Sequence, residues 1–197
     1  ICIVGQRETG SALVYSAFFL MFYREGMPGS ILFTAVAMVV YFVVGVKYEN
    51  VMMWDGQTSV GEFVVLLLMQ IFSTGMVSTY IHNGRQTVQM LLYTVGITLG
   101  CMLFSVYVIP FYVTYVQLIV SFVLIGFLFY QGLSARIRNY YFIALFALGS
   151  LAFFYSADYV LNNVMEPHQR VRINVLLGLD EDLAGAGYNV HQSEIAI

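Results

Sequence analysis

The sequence predicts an all-α protein: a polytopic bundle of about six transmembrane helices, followed by a large polar loop at the C-terminal end. Two observations carry this prediction. Of the 197 residues, 60% are hydrophobic and only 10% are charged, whereas about 25% of the residues in a soluble domain are charged. The hydrophobic residues are also grouped in runs of about 20, the length that crosses a bilayer as a helix. The net charge of −3 argues against nucleic acid as a partner.

The first half of the chain contains three predicted spans, over residues 10–23, 30–46 and 62–81. A turn with Pro28 and Gly29 separates the first two, and a polar loop separates the second from the third. In that loop, Trp54 fits an anchor at the membrane interface. Polar residues end the third span at 82–85.

Residues 88–130 carry no charged side chain. As one helix rising about 1.5 Å per residue, they would be roughly twice as long as the hydrocarbon core is thick. We therefore divide them at Pro110 into two spans. Tyr107, Tyr112 and Tyr115 would form an aromatic belt at the division.

The last predicted span covers 140–162, after a basic loop at 136–138. Residues 1–163 are thus predicted to form part of one membrane domain, and residues 164–197 an extracytoplasmic loop that is too polar to span. The chain starts at Ile1 without Met and stops within a motif. We therefore expect a fragment truncated at both ends.

Two features inside the predicted spans suggest more than hydrophobicity. Gly96 and Gly100 form a GxxxG motif, which predicts close packing against another helix. Asp158 lies in the last turns of the final span, where an intramembrane carboxylate is a candidate for function. Because it is near a helix end, we favour a solvated, structural role.

The positive-inside rule orients the predicted bundle. Alternation from the first span places two sets of basic residues on opposite sides: Arg24, Arg85, Arg136 and Arg138 on one, Arg7, Lys47, Arg170 and Arg172 on the other. The counts are equal. The first set, however, lies in short loops directly beside helix ends, where the rule has most force. We therefore expect the first set in the cytoplasm and the C-terminal loop outside.

The C-terminal sequence "EPHQRVRINVLLG" and the following "DEDLAGAGYNVHQSEIAI" resemble the large extracellular loop of RodA-like proteins of the SEDS (shape, elongation, division, sporulation) family. The pattern there is close to P-x-Q-x-x-R-I, a spacer, and D-P-x-G-A-G-Y-x-x-x-Q-S-x-x-A-I-G-S-G-G. The matching residues are Pro167, Gln169, Arg172, Ile173, Asp182, Gly185, Ala186, Gly187, Tyr188, Gln192, Ser193, Ala196 and Ile197. The segment "QRETGSA" is similar to a second element, Q-x-D-x-G-[ST], through Gln6, Gly10 and Ser11.

This chain departs from the family pattern at three points. Leu183 stands where the family usually has proline, and Glu8 stands for aspartate. The predicted number of spans between the two elements is also larger by about four than in similar RodA proteins. An even number of inserted spans keeps the loop on the same side of the membrane, which agrees with the charge distribution.

The resemblance implies a peptidoglycan glycosyltransferase of the bacterial cytoplasmic (inner) membrane, which polymerises lipid II into glycan strands during cell elongation. The implied partners are lipid II, membrane lipid, a class B penicillin-binding protein and other membrane proteins of the elongation machinery. Cofactors stay unknown, with a divalent cation as one option and no metal ligands assigned. A fragment lacking the flanking helices is expected to be inactive.

The residues of the loop suit glycosyl transfer, which needs a base for the acceptor hydroxyl and donors for a departing pyrophosphate. The resemblance makes Asp182 the catalytic carboxylate. Arginine pairs with phosphate oxygens in two-point contacts, which suits Arg170 and Arg172. The remaining residues implied in substrate binding are Gln169, Gly185, Gly187, Tyr188, Gln192, Ser193, Gln6 and Glu8.

Simpler readings exist for the same residues. Without the resemblance, an Asp-Glu-Asp run is usually a solvated loop, and the two arginines are more often contacts to lipid headgroups. Two other functions also stay open for the chain: a transporter that flips lipid-linked precursors, and a non-catalytic scaffold that activates a penicillin-binding protein.

Overall fold

The computed structural model describes residues 21, 23–54, 56–177 and 179. In this part of the chain, six α-helices follow one another, with a short π-helix, Val160–Val164, between the last two. The α-helices are α1 Gly29–Lys47, α2 Val60–Ile81, α3 Gly84–Tyr107, α4 Val113–Ala135, α5 Arg138–Tyr159 and α6 Pro167–Leu176. The described residues form no strand; one isolated bridge joins Met52 to Ser59 in the loop before α2.

In the described part of the chain, five helices are long and apolar enough to cross a membrane: α1 to α4, and α5 together with the π-helix. The protein is therefore an all-α, multi-pass helix bundle, and the predicted fold class is confirmed. The division of the long uncharged segment at Pro110 is also confirmed, because α3 ends at Tyr107 and α4 begins at Val113. The predicted span over 10–23 lies outside the described residues except at its end, where Met21 and Tyr23 are helical.

The chain divides into two compact units, Ile1–Val40 and Tyr41–Ile197, and the division falls within α1. In the second unit, α2 packs against α3, α4 and α5. It is the central helix: 56% of its most apolar window is buried, against 22% for α3. The helix α3 packs mainly against α2 and α4, and its first turn also meets α5 through a hydrogen bond from Tyr140 Oη to Gln86 Oε1.

The turn between α2 and α3 is tighter than the sequence predicts. His82 ends α2 in the left-handed conformation, with φ of 59°. Asn83 then caps α3 through its side-chain oxygen, which accepts a hydrogen bond from the Gln86 backbone N–H at 3.2 Å. The connection between the two helices is therefore only His82 and Asn83, and α3 begins at Gly84 with the Asn83 side chain replacing a missing backbone partner.

A buried polar cluster joins α2, α3 and α4 in the interior of the second unit. Gln70 of α2 is fully buried. Its amide nitrogen donates to Ser121 Oγ of α4 at 3.1 Å, and its amide oxygen accepts from Thr98 Oγ1 of α3 at 3.2 Å. Gln117 of α4, also fully buried, donates to the carbonyl of Phe63 at 3.1 Å. Such bonds between helices hold the register of a membrane bundle, where lipid offers no competing partner.

Replacing Gln70 with methionine is expected to reduce the free energy of unfolding by about 1–2 kcal/mol, because the interhelical bonds disappear while the side-chain volume is kept. Denaturation of the purified protein in mixed detergent micelles would measure this. Gln89→Met, at an exposed position of α3, is the matched control. Equal stabilities of the two variants would contradict a stabilising role for the cluster.

The prediction that the GxxxG motif packs against another helix is wrong for the part of the chain described. Gly96 and Gly100 are exposed, and an added Cβ at either would meet nothing within 4 Å. The reason is that α3 buries a different face, which carries Met90, Thr94 and Thr98. Gly96 is two residues from both threonines, so it lies on the opposite side of the helix.

The start of the predicted C-terminal loop contains one helix that the sequence reading missed. After the π-helix, α6 begins at Pro167 and ends at Leu176. Its composition is too polar for a span, which is why the segment was predicted as a loop. Proline at the first position of a helix is a recognised start signal, and Pro167 is the signal that was overlooked.

Candidate functional site

A polar site in the described structure surrounds Glu62, in the first turn of α2 at one end of the second unit. Its carboxylate accepts three side-chain hydrogen bonds. Tyr112 Oη and Thr114 Oγ1 donate to Oε2 at 2.9 and 3.2 Å, and Tyr155 Oη donates to Oε1 at 2.9 Å. Glu62 therefore joins the start of α2 to the start of α4 and the end of α5. A negative charge at a helix N-terminus is also favoured by the helix dipole.

The backbone around Glu62 is held by two buried or half-buried contacts. Ser59 Oγ donates to the Glu49 carbonyl at 2.9 Å, which ties the end of α1 to the start of α2. The Val113 backbone N–H donates to Thr58 Oγ1 at 3.2 Å, which ties the start of α4 to the same loop. These contacts fix the starts of α2 and α4 relative to each other, so that the hydroxyls of Tyr112 and Thr114 reach the carboxylate.

Burial raises the pKa of the Tyr112 phenol above its ordinary value, and the hydrogen bond to Glu62 and the negative charge of Glu62 act in the same direction. A raised phenol pKa keeps the proton on Tyr112 at neutral pH. Tyr112 is therefore a hydrogen-bond donor to Glu62 throughout the physiological range.

A cavity of about 230 Å³ opens beside Glu62. Its charged walls are Glu49, Glu62 and Asp158, and its aromatic walls are Phe42, Tyr112, Phe154 and Tyr155. Asn162 donates to Glu49 Oε1 at 3.1 Å and to Asp158 Oδ1 at 3.0 Å. Within the described residues, these three carboxylates are held by neutral donors only. The sequence reading of Asp158 agrees with its position, since the side chain is exposed at the end of α5.

A second cavity, of about 350 Å³, shares Val46, Glu49 and Leu161 with the first and reaches Arg170 of α6. The guanidinium of Arg170 donates through Nε at 3.1 Å and through Nη2 to the carbonyl of Leu161. Leu161 belongs to the π-helix, where carbonyls near the helix end lack backbone partners. Arg170 thus attaches α6 to the end of α5 and places a cation beside the acidic cavity.

Few of the predicted site residues lie in the described structure. Gln169 and Arg170 are in α6, as is the backbone of Arg172. Positions 170 and 172 are two residues apart in a helix, so they fall on different faces. The other predicted site residues lie outside the described residues: Gln6, Glu8, Asp182, Gly185, Gly187, Tyr188, Gln192 and Ser193.

The structure also reveals functional candidates that the sequence reading missed, above all Glu62. Its position at the start of a predicted span was recognised, but its three hydroxyl partners were not. They belong to residues 50, 52 and 93 positions later in the chain. A carboxylate at the border of an apolar segment was the only available signal. In the part of the chain described, no group of three or more His, Cys, Asp or Glu residues could hold a metal ion.

The site depends on a close approach of α1 and α2 next to Glu62. A Cβ added at Gly61 would lie 2.6 Å from the carbonyl oxygen of Gly45 and 3.0 Å from the carbonyl carbon of Tyr48. Both atoms belong to the backbone and cannot move away cheaply.

Gly61→Ala is therefore expected to lower the free energy of unfolding by about 1–3 kcal/mol through overpacking. Gly75→Ala, in the same helix with nothing within 4 Å of the new Cβ, should instead be neutral or stabilising, because alanine favours the helix. Chemical denaturation of both variants in micelles would compare them. A Gly61→Ala protein as stable as Gly75→Ala would show that the two helices can separate without cost.

Comparison with known proteins identifies no relative: no family model, no curated protein and no solved structure matches this chain.

Proposed function

We propose that this chain is part of a peptidoglycan glycosyltransferase of the SEDS type, which polymerises lipid II at the outer face of the bacterial cytoplasmic membrane. One observation carries the proposal: the resemblance of residues 167–197 to the RodA-like extracellular loop, over the two spaced motifs quoted above. The multi-pass bundle of apolar helices is the kind of scaffold such a function needs.

The helix count supports an extracytoplasmic loop. With the predicted first span and the five described helices, the segment with Gln6 and the segment after α6 fall on the same side of the membrane. A single helix over residues 88–130 would have placed them on opposite sides. The break between Tyr107 and Val113 removes that objection.

The charge distribution supports the same orientation. At the end of the second unit where α2 ends and α4 ends, the charged residues described are Arg85, Arg136 and Arg138. The acidic residues described in this unit, Glu49, Glu62, Asp158 and Glu166, lie at the other end. Short basic connections favour the cytoplasm, so the acidic end with α6 would be outside.

In this proposal, Asp182 takes the proton of the acceptor hydroxyl, and Arg172 contacts the pyrophosphate. Arg170 has a double role: it holds α6 against Leu161 and leaves its remaining N–H groups for the substrate. In this proposal, the acidic cavity beside Glu62 lies next to the start of the extracytoplasmic loop. The residues around it would hold α6, and so the motif after α6, in position. A class B penicillin-binding protein would crosslink the strands produced.

The deciding experiment uses the purified full-length natural protein in liposomes with labelled lipid II. Glycan polymer that a muramidase digests is expected. Movement of lipid II across the bilayer without polymer would instead identify a transporter. A protein that shows neither polymerisation nor transport by itself, but stimulates polymer formation when an active polymerase partner is added, would be identified as a scaffold.

The orientation is tested separately by cysteine labelling. In a full-length protein whose native Cys2 and Cys101 are replaced by serine, Asn189→Cys is expected to react with a membrane-impermeant maleimide in cells with a permeabilised outer barrier. Ser134→Cys, at the exposed end of α4, should react only after the cytoplasmic membrane is also broken. The opposite pattern would place the loop in the cytoplasm.

A further inference from the structure

The described structure contains a third cavity, very different from the two beside Glu62. It lies between α3 and α4, has a volume of about 500 Å³ and presents an almost wholly apolar surface. Its walls include Ile119 and Val123 of α4 and Gln86, Tyr93 and Ile97 of α3. Tyr93, Val123 and Ile119 are 70%, 66% and 62% exposed, so the groove opens to the outside of the unit.

Only one end of this groove is polar, the end at Gln86 in the first turn of α3. Tyr140 Oη donates to Gln86 Oε1 at 2.7 Å, which brings the starts of α3 and α5 together. Arg85 precedes Gln86, and Arg138 begins α5 two residues before Tyr140. Both arginines are exposed and lie at the same end of the unit as the polar end of the groove.

Among the residues described in this unit, no carboxylate lies at the same end as these arginines. The carboxylates described between residues 41 and 179 all belong to the opposite end, around Glu62 and α6. At a membrane surface, uncompensated arginines next to an apolar groove between helices are complementary to a lipid phosphate.

The depth of the groove fits one leaflet of a bilayer. From Gln86 to Ile97, α3 rises about 16 Å at about 1.5 Å per residue. Half of a hydrocarbon core about 30 Å thick is about 15 Å. An acyl chain entering at the arginines would therefore end near the middle of the membrane.

We propose that the groove between α3 and α4 binds one acyl chain of an anionic phospholipid, with the lipid phosphate held by Arg85 and Arg138. The site does not depend on the proposed glycosyl transfer or on which membrane face the arginines occupy, because a phosphate layer lies at both faces. The proposed site differs from ordinary annular lipid contacts in preferring one type of headgroup and in holding the acyl chain in a defined cavity.

The test is native mass spectrometry of the purified full-length protein titrated with palmitoyl-oleoyl phosphatidylglycerol or with phosphatidylcholine of the same chains. One saturable phosphatidylglycerol site is expected. Arg85→Gln and Arg138→Gln should each weaken phosphatidylglycerol binding about fivefold and leave phosphatidylcholine unchanged. Lys47→Gln, a cation at the other end of the unit, is the charge control and should change neither.

The cavity itself is tested by filling it. Val123→Trp adds bulk to the groove wall and should weaken both lipids, whereas Phe122→Trp, its 57% exposed neighbour outside the wall, should not. Ile119→Trp is a second filling variant in case Val123→Trp does not fold. Equal binding of the two lipids by the parent, or equal effects of the wall and neighbour variants, would reduce the site to ordinary lipid contact. Protection of a cysteine at Val123 by a second copy or by another apolar segment of the chain would replace the lipid by a helix and overturn the proposal.

Discussion

Under the proposed function, Asp182→Asn is expected to reduce lipid II polymerisation by the full-length protein by about 10²–10⁴-fold, the usual contribution of a positioned general base. Asparagine keeps the size and shape of the side chain but accepts no proton at neutral pH. Asp182 alone among the carboxylates of its run aligns with the aspartate of the family pattern, directly before the Gly-Ala-Gly-Tyr sequence. The rate of polymer formation from labelled lipid II measures the effect.

The neighbouring carboxylates provide the controls for this experiment. Asp180→Asn and Glu181→Gln have no counterpart in the pattern and should polymerise at close to the parent rate. Membrane insertion and capture by the proposed penicillin-binding protein partner should be unchanged in all three variants. If Asp180→Asn abolished polymerisation and Asp182→Asn did not, the alignment would be displaced by two residues. If no variant had an effect, the loop would not hold the base.

Glu62→Ala is expected to lower the free energy of unfolding by about 3 kcal/mol. A hydrogen bond to a charged group contributes about 1.5–3 kcal/mol, and Glu62 accepts three, from Tyr112, Thr114 and Tyr155. Their partial exposure to water keeps the expected loss well below the sum of three bonds. Denaturation in mixed micelles gives the free energy, and hydrogen exchange should locate the loosened backbone at the starts of α2 and α4.

A double-mutant cycle separates this interaction from general damage. Tyr155→Phe removes one donor and should cost about 1.5 kcal/mol in the parent and almost nothing in the Glu62→Ala background. Tyr115→Phe is the control. The ring of Tyr115 packs edge-on against that of Tyr112, with the ring centroids 4.9 Å apart, but the exposed Tyr115 hydroxyl does not contact Glu62. Fully additive losses for Glu62→Ala and Tyr155→Phe would mean that the bond seen at 2.9 Å contributes nothing.

The spans could be predicted because each is a local property of the chain. A run of apolar residues must form a helix in lipid whatever its neighbours are, and the observed α1, α2 and α5 begin within two residues of the predicted positions. Pro110 marked the break between α3 and α4 for an equally local reason, since proline cannot continue a helix. The end of α2 at Ile81 was predicted correctly, but the start of α3 was placed too late because Asn83 caps a helix that begins among polar residues.

From the sequence, site residues could be predicted only where they belong to a motif of neighbouring residues. Gln169, Arg170 and Arg172 were singled out from such a motif, yet the contact of Arg170 with Leu161 was not, because it depends on a π-helix that ends α5. The GxxxG motif shows the converse. Its spacing permits close packing, but which face of α3 is buried depends on where α2 and α4 lie.

By itself, the sequence determined that this chain crosses a membrane as several helices, where most of those helices lie and which end carries the basic connections. The tertiary structure decided which polar residues meet: Gln70 with Thr98 and Ser121 in the interior, and Glu62 with two tyrosines and a threonine at one end. Hydrophobicity acts on each segment separately and sums along the chain. A hydrogen bond between helices depends on rotation and depth, which only the packing of several helices together sets.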